Sequence, residues 1–259
     1  MQTSQITLIL PAYNEEADLP ALLARIKQSM SWAALYRVIV VDDGSCDRTA
    51  KIARQFASHM PIELIQHSSN QGLGATIRTG LLAAASRDGV IVTMDADNSH
   101  DPLLIRSMVS QLEAGAEVVI ASRFRSGAEE HGVPAFRRIL SRLSSGVLRL
   151  AIGYPGVRDY TSGFRVYRAA VIRRLIDSFG ESSFLRESDF ACMLELLLKL
   201  REFGARVYEV PLVLRYDLKT GASKMRILRT AWRYLVLLWH WPSAWLRILR
   251  TRGNVNTQT

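Results

Sequence analysis

Asp95 and Asp97 stand one residue apart, directly after an apolar and β-branched run at 90–94 that predicts a buried strand. Two carboxylates at the end of such a strand are costly to bury unless a cation neutralises them. Oxygen ligands of this kind suit Mg²⁺ or Mn²⁺. Because open α/β sheets bind ligands at the carboxyl edge of their strands, the pair predicts a metal–nucleotide site.

Acidic residues follow two other apolar runs in the same way. Glu15 comes after the run at 6–10, and Asp42 and Asp43 come after the run at 38–41. A nucleotide could use one carboxylate for its base or ribose hydroxyls and others for the metal on its diphosphate. The alternative is that the Asp-Asp-Gly-Ser sequence beginning at Asp42 forms only a turn with a helix cap. Three acidic strand ends together favour the nucleotide site.

The spacing of the motifs excludes two other kinds of site. An EF-hand loop that starts at Asp95 needs Gly and Glu where this sequence has His100 and Arg106. A dinucleotide fingerprint that begins at Gly72 needs a third glycine where this sequence has Ile77. Neither site is therefore predicted.

Short apolar runs alternate with helical patterns through the first 120 residues. We predict strands at 6–10, 38–41, 63–66, 90–94 and 118–120. Strands that alternate with helices form βαβ units, so we expect an α/β fold with a Rossmann-like, mostly parallel sheet. Such a sheet brings the acidic strand ends to one edge.

The pattern changes after Arg123. Residues 126–133 are polar and contain glycine, which predicts a loop. Apolar residues spaced for an amphipathic helix follow at 136–147, and a further helix is predicted over 189–203. A strand is predicted over 206–214. We expect these elements to form a C-terminal acceptor lobe of the same domain.

The C-terminal part of the sequence is strongly basic. The chain has 259 residues and a net charge of +9, and residues 218–252 hold eight Lys or Arg but no Asp or Glu. Such a segment predicts an anionic partner, either lipid headgroups or nucleic acid. We divide the chain into a catalytic domain, residues 1–224, and a basic amphipathic segment, residues 225–259.

The basic residues of this segment recur at spacings compatible with one helical stripe: Arg226, Arg229, Arg233, His240 and Arg247. Interspersed Trp and Leu residues suit a helix at an anionic membrane surface. The alternative is a helix that packs on the domain with its tryptophans in the core. A nucleic-acid-binding protein is a more distant alternative, because no binding module is recognisable and acidic strand ends repel a phosphate backbone.

Cysteine usage and hydropathy indicate a cytoplasmic location. Cys46 and Cys192 match no metal-binding or redox spacing, which is typical of a reduced compartment. No apolar run reaches the roughly 18 residues of a spanning helix, and the N-terminal residues lack a secretory signal pattern. We expect a cytoplasmic protein that is peripheral at the inner face of the membrane.

Six motifs, in this order, resemble those of family 2 glycosyltransferases. Four lie in the first hundred residues: LPAYNE at 10–15, VDDGS at 41–45, NQGLG at 70–74 and MDAD at 94–97. Two more narrow the resemblance to the dolichyl-phosphate mannose synthase-like branch: DYTSGFRVY at 159–167 and GASK at 221–224. The resemblance covers most of the chain.

This resemblance implies a glycosyltransferase A-type fold and an inverting, metal-dependent hexosyltransferase. The enzyme would move a sugar of the mannose or glucose type from a nucleotide-sugar donor to a polyprenyl phosphate, with Mg²⁺ or Mn²⁺ as cofactor. Its catalytic residues would be Asp97, Arg123 at phosphate and Arg137 facing the lipid phosphate. Asp95, Asp97 and Ser99 would hold the metal. The donor would contact the following residues: Pro11, Tyr13, Glu15, Val41, Asp43, Asp95, Ala96, Asp97, Arg123 and Lys224.

One position departs from the family pattern. Relatives commonly carry an Arg three positions before the Gly of the GASK motif, where it contacts phosphate, and this sequence has Leu218 there. Lys219, Arg215 or Lys224 could supply the charge, although Lys lacks the bidentate fork of Arg. The sequence alone leaves these three alternatives open.

The chemical class of the acceptor decides whether a base is needed. A phosphate monoester, with a second pKa near ~6, is mostly dianionic at neutral pH and needs no strong base. A hydroxyl acceptor, the alternative within the same family, needs a base, for which Asp159 and Glu195 are candidates. We favour their structural interpretations, a loop hydrogen bond for Asp159 and a helix-face ion pair for Glu195.

Overall fold

The structure is a computed structural model, and it describes residues 5–221 and 227–241. The strands are β1 (Ile6–Ala12), β2 (Tyr36–Asp42), β3 (Ile62–Gln66), β4 (Val90–Thr93), β5 (Val118–Ser122), β6 (Glu129–His131), β7 (Arg165–Arg168), β8 (Val207–Pro211) and β9 (Val213–Arg215). The helices are α1 (Leu19–Ser29), α2 (Thr49–Phe56), α3 (Leu73–Ala85), α4 (Leu104–Glu113), α5 (Ala135–Ile152), α6 (Ala169–Phe179), α7 (Cys192–Glu202) and α8 (Ile227–His240). A single 3₁₀ turn spans Tyr216–Leu218.

Seven strands form one sheet in the order β3-β2-β1-β4-β7-β5-β8. Neighbouring strands run parallel except at β7, which is antiparallel to both β4 and β5. Strands β6 and β9 form a separate parallel pair. The predicted α/β fold with a mostly parallel sheet is therefore confirmed, and β1 to β5 are the five strands predicted in the first 120 residues.

Apolar side chains fill both faces of the sheet, because alternate residues of a buried strand point to opposite sides. On one face, Ile9 of β1 belongs to the same buried cluster as Leu81 of α3. On the other face, Leu8 belongs to a second cluster with Leu22 of α1 and Met108 of α4. The strands thus carry the residues at their carboxyl ends on a frame that is packed from both sides.

The second half of the chain departs from the predicted elements. Strand β7 is not among them, although it lies inside the sheet. The segment 126–133, predicted as a loop, contains β6. The strand predicted over 206–214 is divided into β8 and β9, because the chain passes from one sheet to the other at Leu212. The helix predicted over 189–203 is α7.

One side of α5 carries apolar residues that face outward. The side chains that are more than half exposed are Phe136, Ile139, Leu143, Val147 and Leu150. Exposed apolar side chains also occur on α8: Trp232, Leu235 and Trp239. We call these eight residues the outer apolar face. The amphipathic helix predicted at 136–147 is therefore present as α5, with this apolar side on the surface of the described chain.

No helix within residues 5–221 and 227–241 is both long enough and apolar enough to span a membrane.

Candidate active site

A cavity of about 930 Å³ lies at the carboxyl edge of the sheet. Residues that follow β1, β2, β4 and β5 line its inner wall, because the carboxyl ends of parallel strands meet at one edge. Residues of α5 and α8 also line the cavity. The predicted site residues that line the cavity are Pro11, Tyr13, Glu15, Asp43, Asp95, Ala96, Asp97, Ser99, Arg123 and Arg137.

Val41 is the predicted donor contact within the described residues that does not line the cavity. Val41 is fully buried, and its side chain belongs to the same apolar cluster as Ile9 and Ile39. The Val41 side chain therefore serves the core of the sheet rather than the wall of the cavity. Lys224 lies outside the described residues.

The adjacent aspartates Asp42 and Asp43 have different roles. The Asp42 carboxylate accepts a hydrogen bond from the Ser45 backbone N–H at 3.2 Å, as expected for a turn residue. Asp43 lines the cavity and accepts hydrogen bonds from the backbone N–H groups of Gln71 at 2.9 Å and Gly72 at 2.8 Å. The turn alternative therefore describes Asp42, whereas Asp43 joins the cavity wall to the loop before α3.

His67 is a site residue that sequence reasoning missed. Its Nδ1 lies 2.7 Å from Asp43 Oδ1, and its Nε2 lies 3.0 Å from Thr79 Oγ1. A ring bonded on both sides is fixed in orientation, so His67 positions the Asp43 carboxylate. His67 follows β3 directly, and the strand-end argument that identified Asp95 could have found it.

The turn after β4 holds Asp97 in place. Ser99 donates to Asp97 Oδ1 twice, from its backbone N–H at 3.2 Å and from its hydroxyl at 2.6 Å. Asn98 has a φ of 58°, a conformation that Asn tolerates better than most residues. The backbone N–H of Asp95 points to His100 Nδ1 at 3.4 Å. His100 thus helps to position the acidic pair.

The two carboxylates respond differently to their surroundings. Burial raises the pKa of Asp95 above its usual value, and nearby His100 offsets this only in part. Burial acts in the same direction on Asp97, but Lys219 and His100 outweigh it and hold the pKa of Asp97 below its usual value. A divalent cation would favour the charged form of both groups.

The available oxygen atoms fit a Mg²⁺ or Mn²⁺ ion that shares its coordination with a substrate. Asp95, Asp97 and the Ser99 hydroxyl are hard oxygen donors. In the described ranges, 5–221 and 227–241, no group of three His, Cys, Asp or Glu residues is arranged to hold an ion. Mg²⁺ commonly takes one or two carboxylates together with phosphate oxygens and water. The arrangement suits an ion placed between the protein and a diphosphate.

Gly163 allows the chain to pass close to Asp95. A β-carbon at position 163 would lie 3.1 Å from Asp95 Oδ1. The segment is held on both sides, because Thr93 Oγ1 donates to the Gly163 carbonyl at 2.8 Å and Arg165 Nε donates to the Ser162 carbonyl at 2.8 Å. A larger side chain at position 163 must therefore displace the Asp95 carboxylate.

Arg123 is fixed on the cavity wall by Asp159. Its Nη2 donates to Asp159 Oδ1 at 2.7 Å, and its Nε donates to Asp159 Oδ2 at 2.9 Å. Nη2 also donates to Thr161 Oγ1 at 2.6 Å. Burial alone would raise the pKa of Asp159, but Arg123 outweighs it and holds that pKa below its usual value. Asp159 is thus a fully buried ion-pair partner of Arg123 rather than an available general base.

Glu195 is also committed to the structure. Its Oε1 lies 2.7 Å from Lys199 Nζ, one helical turn further along α7. Its Oε2 accepts the backbone N–H groups of Arg186 and Glu187, each at 2.8 Å. Glu195 does not line the cavity. The ion-pair interpretation of Glu195 and the hydrogen-bond interpretation of Asp159 therefore both describe the structure.

Basic residues line the part of the cavity between α5 and α8. Arg137 of α5 donates to the Tyr216 hydroxyl at 3.2 Å, and Arg229 of α8 lines the same cavity. Lys219 lies deeper, with its Nζ 2.6 Å from Asp97 Oδ2. Arg215 pairs with Asp217 instead. Of Lys219 and Arg215, the two alternatives that lie within the described residues, Lys219 is the one whose cation contacts Asp97.

Comparisons with known proteins agree with this geometry. The model of the family described as Glycosyl transferase family 2 matches residues 7–176. The polyprenol monophosphomannose synthase of Mycolicibacterium smegmatis is 30% identical over 226 residues, which are 86% of this chain and 82% of that protein. The dolichol-phosphate mannosyltransferase of Pyrococcus furiosus is 30% identical over 234 residues, 89% of this chain and 62% of that protein.

The fold also has close counterparts among solved structures. Glucosyl-3-phosphoglycerate synthase from Mycobacterium tuberculosis, in complex with Mn²⁺, uridine diphosphate and glucosyl-3-phosphoglycerate, matches with a TM-score of 0.63 and 20% identity. The match covers 88% of this chain and 76% of that one. The expected glycosyltransferase A-type fold is thereby confirmed, and because the family model spans well over half of the sequence, the chain belongs to glycosyl transferase family 2 and is a glycosyltransferase.

Proposed function

We propose that this glycosyltransferase moves a hexose, of the mannose or glucose type, from a nucleotide-sugar donor to a polyprenyl phosphate, with inversion and with Mg²⁺ or Mn²⁺. One observation carries the proposal. A single cavity is lined both by the acidic pair Asp95 and Asp97, at the end of β4, and by the basic residues Arg137 of α5 and Arg229 of α8, two helices that also carry exposed apolar side chains. The names of the relatives, which include polyprenol and dolichol-phosphate mannosyl transfer, support it.

The acidic pair suits the donor. Asp95, Asp97 and Ser99 would hold the metal, which when bound stabilises the negative charge that develops on the leaving diphosphate. Asp43, which follows β2, lines the same cavity and would contact the nucleoside of the donor. The Arg123 guanidinium, held still by Asp159, offers a second cation to phosphate.

The basic residues suit a phosphate acceptor. Arg137 and Arg229 line the cavity, and phosphate groups are natural partners of the guanidinium group. A dianionic phosphate attacks without a strong base. Both candidate bases for a hydroxyl acceptor are engaged in buried ion pairs, Asp159 with Arg123 and Glu195 with Lys199. The geometry therefore favours the phosphate over the hydroxyl acceptor.

The outer apolar face supports an association with the membrane surface. Large apolar side chains that are exposed together along one side of a helix favour contact with a partner or a membrane. On α8, Leu237 and Leu238 are buried in the core, as in the packed-helix alternative, but Trp232 and Trp239 are exposed rather than in the core. These exposed side chains support the membrane-facing interpretation. We propose that the exposed side lies at the cytoplasmic face of the membrane, where a polyprenyl phosphate is found.

The predicted basic stripe is partly neutralised in the structure. Arg233 pairs with Glu187 at 2.8 Å, and Arg229 lies 3.5 Å from Asp189. Arg226 and Arg247 lie outside the described residues. For α8, the apolar side chains rather than these two arginines therefore support contact with lipid.

Transfer to a lipid phosphate is tested directly. Purified protein is incubated with Mg²⁺ or Mn²⁺, a panel of nucleotide sugars and a short-chain polyprenyl phosphate, and glycolipid is measured. A parallel reaction contains the corresponding polyprenol, which has a hydroxyl in place of the phosphate. We expect glycolipid to form with the polyprenyl phosphate and not with the polyprenol. Product from the polyprenol would support the hydroxyl acceptor, and no product from any donor, without metal-dependent nucleotide binding, would contradict the proposal.

A further inference from the structure

The segment that carries Lys219 is held at both ends. The Arg215 backbone N–H donates to the Ser99 carbonyl at 2.8 Å. At the other end, the buried Asp18 carboxylate accepts hydrogen bonds from the Thr220 N–H at 3.0 Å, the Thr220 hydroxyl at 2.6 Å and the Gly221 N–H at 3.2 Å. The backbone of Lys219 is thus fixed beside the acidic pair before any ligand binds.

The Lys219 ammonium points to Asp97. Its Nζ lies 2.6 Å from Asp97 Oδ2, and the side chains of Lys219 and Asp97 are only 10% and 13% exposed. The carboxylates of Glu15 and Asp95 line the same cavity. A cation–carboxylate contact with so little access to water is much stronger than a surface ion pair.

Both oxygen atoms of Asp97 are engaged. Ser99 donates to Oδ1, and Lys219 donates to Oδ2. The other basic residue of the segment, Arg215, is paired with Asp217 and more exposed. A divalent ion at Asp97 therefore meets a cation that the protein itself supplies.

We propose that Lys219 is a resident counter-ion of the metal site, which competes with the divalent ion for Asp97 and turns to the donor diphosphate when metal and nucleotide are both bound. The inference rests on the proposed function in that it requires a divalent ion at Asp97. The long flexible stem of lysine allows its ammonium to change partner while the backbone stays fixed. A diphosphate brings the negative charge that a second cation needs once the metal occupies the carboxylates.

This exchange couples the two ligands. Metal alone must displace Lys219 and binds weakly, whereas a nucleoside diphosphate gives Lys219 a new partner and so improves metal binding. Because such coupling is reciprocal, metal improves nucleotide binding by the same factor. The protein should therefore bind the metal and the nucleotide together more tightly than it binds either ligand alone.

Binding of Mn²⁺, followed by the paramagnetic resonance signal of the free ion, tests the exchange without requiring turnover. It is measured with and without uridine diphosphate, and with guanosine diphosphate in parallel. For Lys219→Met we expect Mn²⁺ alone to bind roughly three- to tenfold more tightly than in the wild type. We expect the diphosphate, at saturating Mn²⁺, to bind more weakly, so that the coupling between the two ligands falls.

Two variants serve as controls. Lys219→Arg keeps the charge and should retain the weak binding of Mn²⁺ alone, and Arg215→Met removes a basic residue of the same segment that is paired elsewhere and should behave as the wild type. Unchanged or weaker Mn²⁺ binding in Lys219→Met would overturn the inference. If the wild type transfers sugar with metal, but Lys219→Met and Arg215→Met bind Mn²⁺ equally well and show the same coupling to the diphosphate, this inference alone fails. If the wild type binds neither Mn²⁺ nor either diphosphate, both proposals fail.

Discussion

Arg123 and Asp159 form a bidentate ion pair, in which the guanidinium donates to both carboxylate oxygens of Asp159, at 2.7 and 2.9 Å. Asp159 is fully buried, and Arg123 lines the cavity. This pair fixes a cation in the same cavity as the acidic residues that follow β4, and it leaves Asp159 engaged in an ion pair rather than available as a general base.

We expect Asp159→Asn to destabilise the fold by about 3 kcal/mol, because it leaves the Arg123 guanidinium without its buried counter-charge. The pKa of Asp159 is lower in the folded state than its value of about 3.9 in unfolded chains. Its stabilising effect is therefore complete above about pH 3.9 and is lost as the pH falls through the folded-state pKa. Urea unfolding measured from pH 7 to pH 3 checks both the size and the pH range.

The decrease in the free energy of unfolding at low pH should be smaller in the Asp159→Asn variant than in the wild type, because the variant has no carboxylate to protonate at this position. Asp217→Asn is the matched control, since it removes an acid that is paired with an arginine at an exposed position. It should leave the free energy of unfolding nearly unchanged. Equal destabilisation by the two substitutions would mean that the buried pair has no special role.

We expect Asp97→Asn to lower turnover by about 100-fold or more, because losses in the outer coordination shell alone cost ~10–100-fold and Asp97 is a proposed direct ligand. Turnover and Mn²⁺ binding are both measured. Asp88→Asn is the control, because Asp88 is highly exposed and pairs with Arg173 away from the cavity. A fully active Asp97→Asn enzyme would refute the metal assignment.

We expect Gly163→Ala to weaken Mn²⁺ binding by on the order of tenfold, because the new methyl group would lie 3.1 Å from Asp95 Oδ1 and displace it. Gly146→Ala is a matched control, since a β-carbon there meets no atom within 4 Å among the described residues. Because position 146 is interior to α5, this control substitution should stabilise the helix by up to ~1 kcal/mol and leave metal binding unchanged. Wild-type metal affinity in Gly163→Ala would show that Asp95 does not hold the ion.

We expect Leu143→Glu and Trp232→Glu to reduce binding to anionic lipid vesicles by at least about tenfold each, since a buried large apolar side chain contributes ~1.5–3 kcal/mol. Vesicle sedimentation measures the effect, and nucleotide binding in solution should not change. Leu35→Glu, at an exposed leucine outside the outer apolar face, is the control. Substitution is preferable to deleting α8, because Leu237 and Leu238 belong to the core. Vesicle binding equal to that of the control would contradict the membrane proposal.

The parts of the molecule that the sequence predicts well are those that local patterns determine. Strands β1 to β5 are apolar runs bounded by polar residues, and parallel pairing places their acidic ends together. Asp95 and Asp97 could be identified on this basis. Val41 also ends an unbroken apolar run at 38–41, which indicates a strand buried on both faces and so a side chain in the core.

Features that depend on distant parts of the chain could not be predicted in this way. Strand β7 has only four residues, begins and ends with arginine, and owes its strand geometry to β4 and β5 on either side. Lys219 lies 122 residues from Asp97 in sequence, so only the folded chain shows that they meet. The apolar spacing of α5 predicts a helix but does not reveal that its apolar side is exposed rather than packed on the domain.

The position of β7 determines when, during synthesis of the chain, the sheet can be completed. Thr93 of β4 pairs with Arg165, and Ile120 of β5 pairs with the same residue from the other side. A nascent chain that has emerged only as far as β5 therefore holds two strands with unpaired edges, which are prone to aggregate. The ends of β4 and β5, which carry Asp95 and Arg123, reach their final separation only after β7 is synthesised. A ribosome stalled before residue 165 would accordingly expose an incomplete sheet and no transferase site.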